Sequence, residues 1–159
     1  MIELVDLAHA NELDEFVRGH ANCHFMQTSL WGRVKSDWGW YGIICRDDTG
    51  RILGTMALLR HNIRHLHTCL LYAPRGPIFT DGDSETFHAL IAAAKQLVKQ
   101  ERAYCLRIDP RIAAQDTAFA EAVKREGFSV NAATDFSLFQ PRMCYVLHME
   151  GLTPDTLAA

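Results

Sequence analysis

A chain of 159 residues is long enough to form one domain with a hydrophobic core of its own. Hydrophobic residues make up 48% of the chain and charged residues 22%, and these shares exclude an intrinsically disordered protein. The net charge is −3 and the sequence has no basic block, which argues against this chain gripping a nucleic acid through its phosphates.

Hydrophobic periodicity divides the chain into helices and strands. In chain order the predicted elements are a helix (12–20), a helix (29–38), two strands joined by a DDTG turn (41–59), a strand (67–74), a helix (85–100), a strand (103–110), a helix (116–126) and two last strands (128–131 and 142–149). Thr28 or Ser29 is the expected N-cap of the second helix, and Gly39 its expected end. This order predicts an α/β (α+β) fold, in which helices cover both faces of a mixed, mostly antiparallel sheet.

The third and fourth helices carry further signals. The long helix over residues 85–100 should bury the residues on one of its faces, namely Leu90, Ile91, Ala94, Leu97 and Val98. Asp83 or Ser84 is expected to cap it. The segment Glu126-Gly127-Phe128 is typical of the way in which acyltransferases of the GNAT type end their last helix.

The compartment is indicated by the cysteines and by the N-terminus. The five cysteines are scattered and form no C-x-x-C pair, so a reduced, cytoplasmic protein is the simplest interpretation. The first residues carry acids where a secretory signal needs positive charge. No apolar run reaches membrane-spanning length, so we expect no stable insertion into a membrane.

A stiff corner ends the strand over residues 67–74. Pro74 and Pro77 fix φ and remove two backbone donors, and Gly76 allows a conformation that other residues resist. The corner therefore presents Arg75 in a defined place. This arrangement is suited either to a purely structural turn or to holding an anion.

Two more positions are candidates for a site. Lys35 lies between Trp31 and Trp38 at helical spacing, which suits a phosphate, a sugar or a base, or a lysine that only covers an apolar face. Asp109 ends a strand in front of a proline, where a carboxylate is well placed for chemistry. An ion pair between Arg107 and Asp109, or a simple Asp-Pro turn, is the structural alternative.

Other kinds of site find less support. His61, His65 and His67 share one strand face, but the sequence offers no fourth ligand at a recognised spacing, so we predict no metal site. No G-x-S-x-G, Walker or G-x-G-x-x-G motif occurs. The nearest approach to the pyrophosphate loop of a GNAT acetyltransferase, RILGTM over residues 51–56, lacks the second small residue, which disfavours coenzyme A as a cofactor.

Four segments together resemble the Fem family of peptidoglycan-bridge aminoacyltransferases, of the FemA, FemB and FemX type. They are FMQTSLWGRVKSDWGW, LLYAPRGPIFTD, YCLRIDP and FQPRMCYVLHMEGLTPDTLAA. The resemblance implies a GNAT-like lobe and an activity. Family members transfer an amino acid from an aminoacyl-tRNA to the stem peptide of UDP-MurNAc-pentapeptide or of its lipid-linked form, at the cytoplasmic side. It thus implies a cytoplasmic protein, either free or peripheral to the inner face of the membrane.

The resemblance also implies roles for individual residues. Lys35 matches the family lysine that contacts the diphosphate of the precursor, with Trp31 and Trp38 beside it. Tyr104 and Asp109 match residues that line the acceptor cleft. We expect Asp109 to position the attacking amine, because an exposed aspartate has a pKa of about 4 and is a weak base.

Two of these expectations depend on local geometry. Arg75 falls in the proline–basic–glycine–proline corner of the family, with a structural role and an expected anion contact. Tyr104 and Asp109 start on opposite strand faces, so they line one cleft only if the strand twists or bulges near Pro110.

Family enzymes are about twice as long as this chain. Residues 1–150 are therefore expected to form a single acceptor-binding lobe, and residues 151–159 to begin the segment toward a second lobe that binds the tRNA. The alternatives are a GNAT-like N-acyltransferase that uses coenzyme A, and a sugar-nucleotide-binding module without catalysis.

Overall fold

The computed structural model describes residues 1–63, 65–111 and 116–130. The helices are α1 (Asn11–Gly19), α2 (Ser29–Val34), α3 (Ser84–Gln100) and α4 (Thr117–Arg125), and a short 3-10 turn covers Phe25–Gln27. The strands are β1 (Ile2–Val5), β2 (Gly39–Arg46), β3 (Ile52–Ile63), β4 (Thr68–Arg75), β5 (Ile78–Phe79) and β6 (Ala103–Pro110).

The strands form one mixed sheet in the order β1-β2-β3-β4-β6, and β5 pairs with β3 beyond the end of β4. Every described pair is antiparallel except β4 with β6, which is parallel. A parallel pair needs a crossover connection, and α3 provides it. The predicted mixed, mostly antiparallel sheet is confirmed.

Alternating residues of the strands build a core on each face of the sheet. On β3, Met56 and Leu58 pack with α3 and α4, whereas Ala57 and Leu59 pack with α1. Each strand thus contributes one apolar set to either side, as expected for a sheet covered on both faces. The predicted placement of helices on both faces is confirmed.

The long helix α3 follows its sequence pattern closely. Leu90, Ile91, Ala94 and Leu97 are buried, as predicted, and Val98 is half-buried against the same core. The Asp83 carboxylate caps the helix by accepting a hydrogen bond from the backbone N–H of Thr86. No helix in the described ranges is both long and apolar enough to cross a bilayer.

The helix α2 is shorter than predicted. It ends at Val34, and Lys35 has the non-helical angles φ −92° and ψ 49°. The N–H of Trp38 then bonds to the carbonyl of Lys35 at 2.8 Å, which closes a turn. Gly39 does not end a helix. It begins β2 opposite Arg60, because the chain must enter the sheet there.

Two predictions at the chain ends differ from the structure. The strand β1 was not predicted, because it is an edge strand whose residues Ile2 and Leu4 stay 38% and 51% exposed, and no buried face marks it in the sequence. Residues 128–130, predicted as part of a strand, have no regular structure. The last predicted strand, over residues 142–149, lies outside the described residues.

Candidate functional site

The corner after β4 leaves a gap in the sheet, and a glutamine fills it. Among the described strands, β4 pairs with β3 only as far as Leu59, and β5 resumes the pairing at Thr55. Between them, the Gln27 Nε2 donates to the carbonyl oxygens of Ala57 at 3.1 Å and Pro74 at 2.8 Å, and its Oε1 accepts from the Ala57 N–H at 2.9 Å. The amide thus replaces a missing strand partner for backbone groups that are buried.

The same glutamine explains the glycine in the corner. A Cβ on Gly76 would lie 2.2 Å from Oε1 of Gln27, so only glycine fits beside this amide. The left-handed conformation belongs instead to Arg75, whose φ is 58°. The expectation that Gly76 adopts the unusual backbone conformation is therefore wrong. Glycine is needed there because the Gln27 amide approaches it closely, and not because of a positive φ. The peptide bond between Gly76 and Pro77 is cis.

Helix α2 is anchored by a residue from α1. The Asp14 carboxylate accepts from the N–H of Ser29 at 2.7 Å and from its hydroxyl at 2.6 Å. Thr28, one of the predicted caps, donates its hydroxyl to the carbonyl of Phe25 instead. Since Gln27 fixes the preceding turn, both the start and the direction of α2 are determined, and with them the place of Lys35.

Lys35 lies between the two indoles, as the sequence predicted. Its Nζ is 5.4 Å from the ring centroid of Trp31 and 6.0 Å from that of Trp38. Further rings hold the indoles in place, since Phe25 meets Trp31 edge-on at 5.3 Å and His61 packs on Trp38 at 4.3 Å. The indole faces orient the ammonium through their quadrupoles. A cation fixed in this way suits a phosphate oxygen.

Asp109 is brought next to the corner by the parallel pairing of β6 with β4, in which it stands opposite Pro74. Its carboxylate accepts a hydrogen bond from the Tyr72 hydroxyl at 3.3 Å. Burial raises the pKa of the Asp109 carboxyl, while the charges of Arg75 and Arg107 act in the opposite direction. The sequence analysis treated Asp109 as exposed, but it is half-buried. Such a carboxylate is a stronger base than an exposed one.

Tyr104 is the extra residue of a β-bulge. The pairing of β4 with β6 steps from Cys69 opposite Ala103 to Leu70 opposite Cys105, which leaves Tyr104 without a counterpart. A bulge was one of the two ways in which Tyr104 was expected to reach the face of Asp109. It lies at Tyr104 itself and not at the far end of the strand, where the sequence analysis placed it.

The bulge puts Tyr104 and Asp109 on one face of the sheet. Ala103, Leu106 and Ile108 pack against the core under α3, so the extra residue between 103 and 106 turns Tyr104 to the opposite face, which Asp109 shares. Five steps at roughly 3.3 Å each separate the two residues by about 16 Å along the strand. They line one face without meeting at one point.

A row of rings connects the corner with Lys35. His24 stacks on Phe25 with centroids 4.9 Å apart, and Phe25 in turn contacts Trp31. Burial and the nearby charge of Arg75 lower the pKa of His24, so this imidazole is neutral at neutral pH. Sequence reasoning missed both His24 and Gln27. In the sequence, only the position of these two residues just before α2 could have indicated them.

The three histidines considered as metal ligands do not share a strand face. Only His61 belongs to β3, where it packs on Trp38, and His65 and His67 lie in the turn that leads to β4. Among residues 1–63, 65–111 and 116–130, no group of three His, Cys, Asp or Glu side chains is placed to hold a metal ion.

The segment over residues 51–56 lies mostly within β3. Gly54 pairs with Cys45 on one side and with Phe79 on the other, so its backbone is part of the sheet. A Cβ there would lie 2.7 Å from the side chain of Thr86 in α3. Close packing against a helix therefore explains this glycine, and its backbone is not arranged as a loop around a pyrophosphate.

Solved structures define the class of fold. A crystal structure of a probable acetyltransferase matches with a TM-score of 0.62 and 14% sequence identity, covering 93% of this chain and 97% of that one, which shows the fold alone. A crystal structure of FemX matches with a TM-score of 0.72 and 27% identity, covering 81% of this chain and 32% of the FemX chain. The chain has the GNAT-like acyltransferase fold.

The particular family follows from the sequence. The chain belongs to the FemAB family, which it matches over residues 8–159. It is 32% identical over 144 residues to a lipid II:glycine glycyltransferase of Staphylococcus aureus, and 32% identical over 140 residues to that of Staphylococcus epidermidis. These matches cover 85% and 84% of this chain but 33% of each relative, so the chain spans about a third of their length, and the expected factor of two in length was too small.

The contact of Gln27 with Gly76 can be tested by a double-mutant cycle. Gly76→Ala should lower the free energy of unfolding by about 1–3 kcal/mol, because the new methyl group collides with the amide. Gln27→Ala should cost about 2–4 kcal/mol, since it leaves buried backbone groups unpaired. In the double variant, Gly76→Ala should cost at least about 1 kcal/mol less than alone.

Urea titration of the variants measures these differences. Gly19→Ala is the matched control, because a Cβ on Gly19 meets no atom within 4 Å. It should change stability by no more than about 0.5 kcal/mol. Strictly additive costs at positions 27 and 76 would contradict the proposed close contact.

Proposed function

We propose that this chain forms the acceptor-binding lobe of an aminoacyltransferase. The enzyme would add an amino acid from an aminoacyl-tRNA to the stem peptide of a lipid-linked peptidoglycan precursor. Membership of the FemAB family and the names of the staphylococcal relatives support this activity. The observation on this chain that carries the proposal is the ammonium of Lys35 held between two indole faces.

In this proposal, Lys35 binds an oxygen of the precursor's diphosphate. A lysine is a point charge that suits a phosphate, and the two indoles reduce the number of positions that its flexible chain samples. Trp31 and Trp38 also offer apolar faces to a sugar ring. The precursor would then follow the row of rings to Arg75 and Asp109, where the stem peptide would lie.

Asp109 would act on the attacking amine. The amine nitrogen bonds to the ester carbonyl carbon of the aminoacyl-tRNA, and the bond from this carbon to the ribose oxygen breaks. The proton that the nitrogen loses ends on the ribose oxygen, which leaves as a hydroxyl. A half-buried carboxylate beside the amine orients it and attracts the proton that leaves. Tyr72 holds the carboxylate by a hydrogen bond, and Arg75 keeps a positive charge beside it. Tyr104, on the same face, would contact the peptide farther along the cleft.

The remaining parts of the reaction belong to the rest of the protein in this proposal. A chain with a net charge of −3 is not suited to be the main contact of a tRNA. We assign the tRNA and the second half of the diphosphate site to a second lobe, which residues 151–159 would lead toward. The reaction would take place on the cytoplasmic side of the membrane.

The diphosphate contact predicts the effect of Lys35→Ala. Loss of a charge-assisted hydrogen bond worth about 1.5–3 kcal/mol should weaken binding of UDP-MurNAc-pentapeptide by roughly 10- to 100-fold. Added salt should weaken binding by the unmodified protein more than binding by the variant. Lys35→Arg should restore part of the affinity. Isothermal titration measures all of these.

Lys99→Ala, which removes an exposed lysine from the end of α3, is the matched control and should leave the affinity unchanged. If Lys35→Ala keeps both the affinity and its salt dependence, then Lys35 only covers the tryptophans. Such a result would remove the central residue of the proposal.

The role of Asp109 predicts a pH effect on transfer in the longer enzyme. Burial raises the pKa of this carboxyl, so the transfer rate should rise with pH as the carboxyl loses its proton. The midpoint of this rising limb should lie above the usual pKa range of an aspartate. Asp109→Asn should lower the rate by about 100-fold or more and remove this limb, while precursor binding changes little. Asp48→Asn, in the exposed turn after β2, is the control. An unchanged pH profile in Asp109→Asn would exclude the assigned role.

A further inference from the structure

Three apolar side chains stand exposed around α2. Phe25 is 54% exposed, Leu30 60% and Val34 61%. Leu30 and Val34 are one helical turn apart, so they share one face of α2. Phe25 lies in the 3-10 turn before α2, and its ring contacts Trp31 of that helix. We call these three residues the α2 patch.

The fold does not need the α2 patch. The buried face of α2 consists of Ser29 and Gly32, and a Cβ on Gly32 would lie 2.6 Å from the ring of Trp40. The opposite face of a surface helix normally carries polar residues. Here it carries Leu30 and Val34, so a contact with something outside the described chain would explain them.

The charges around the α2 patch favour an anionic surface. Arg33 is exposed between Leu30 and Val34, and Lys35 follows directly. Asp37 is the one acid between residues 29 and 38. This segment is therefore positive in a chain whose net charge is −3. Basic side chains next to exposed aliphatic and aromatic ones are typical of helices that lie in a membrane interface.

We propose that the α2 patch docks on the surface of a bilayer that contains anionic lipids. This proposal rests on the proposed function. In a lipid-linked precursor the diphosphate is bonded directly to the lipid, so it lies among the headgroups. Val34 precedes Lys35 directly in the chain, so in the proposal both residues lie at the same interface.

A bilayer fits the α2 patch better than a protein partner does. Stable protein interfaces bury about 800 Å² on each partner. Three partly exposed side chains on a two-turn segment provide much less than that. Shallow insertion of a few apolar side chains, aided by adjacent cations, requires no such area.

Sedimentation with lipid vesicles tests the proposal. The chain should bind vesicles of phosphatidylcholine and phosphatidylglycerol more tightly than vesicles of phosphatidylcholine alone. The double variant Leu30→Ser/Val34→Ser should bind the anionic vesicles about tenfold more weakly, which equals about 1.4 kcal/mol. Leu66→Ser is the control, because Leu66 is 69% exposed in the turn between β3 and β4. It should bind like the unmodified chain.

Several results would overturn the proposal. One is equal vesicle binding by the double variant and the unmodified chain. The others are an absence of binding to anionic vesicles, and a loss of vesicle affinity in Leu66→Ser as large as that in the double variant. A dimer of the unmodified chain that the double variant dissociates, without any effect of vesicles, would assign the α2 patch to self-association instead. Thermal melting must show that the double variant is folded, as expected for changes at exposed positions.

Titration with the soluble UDP-linked precursor separates this inference from the proposed function. The double variant should keep its affinity for that precursor, whereas Lys35→Ala should lose it. If Lys35→Ala bound the soluble precursor as tightly as the unmodified chain, the proposed function would be overturned. Normal precursor binding together with absent vesicle binding would overturn only the membrane contact.

Discussion

The side-chain amide of Gln27 is the interaction on which the rest of the site depends. The chain leaves β4 through a proline-rich corner, and the middle of β3 would have no partner on that edge without this amide. By bonding to Ala57 and Pro74, Gln27 joins the turn before α2 to the sheet. The positions of Arg75 and Lys35 are thereby tied to one buried group. A small displacement of that group would move both ends of the proposed cleft.

The parallel pairing of β4 with β6 supplies the other constraint. It places Asp109 opposite Pro74, beside the corner that Gln27 holds, and the bulge turns the Tyr104 side chain to the face that Asp109 shares. The end of β4 therefore carries the Asp109 carboxylate, the Arg75 guanidinium and the Tyr72 hydroxyl close together. In the proposed function, this edge receives the amine of the stem peptide, and Lys35 receives the diphosphate at the other end of the row of rings.

The sequence predicts local features of this chain better than features that depend on distant contacts. Helix α3 was predicted with its buried face, because one apolar stripe and one capping aspartate encode it. Lys35 was correctly placed between two indoles, although the helix ends before it. The bulge at Tyr104 depends on register with β4, and the buried state of Gln27 depends on a gap in β3. Neither leaves a periodic signal. The resemblance to the Fem family named Asp109 but not the Tyr72 hydroxyl that holds it.

In the proposed function, one ligand occupies the face from Lys35 to Asp109. Nuclear magnetic resonance of the labelled chain, titrated with UDP-MurNAc-pentapeptide, tests it most directly. We expect the largest shift changes at the indole N–H signals of Trp31 and Trp38 and at the backbone of Arg75 and Asp109, with little change in α3. Shift changes confined to residues that line the space between α3 and α4, with the indole signals unmoved, would contradict a ligand on the face from Lys35 to Asp109.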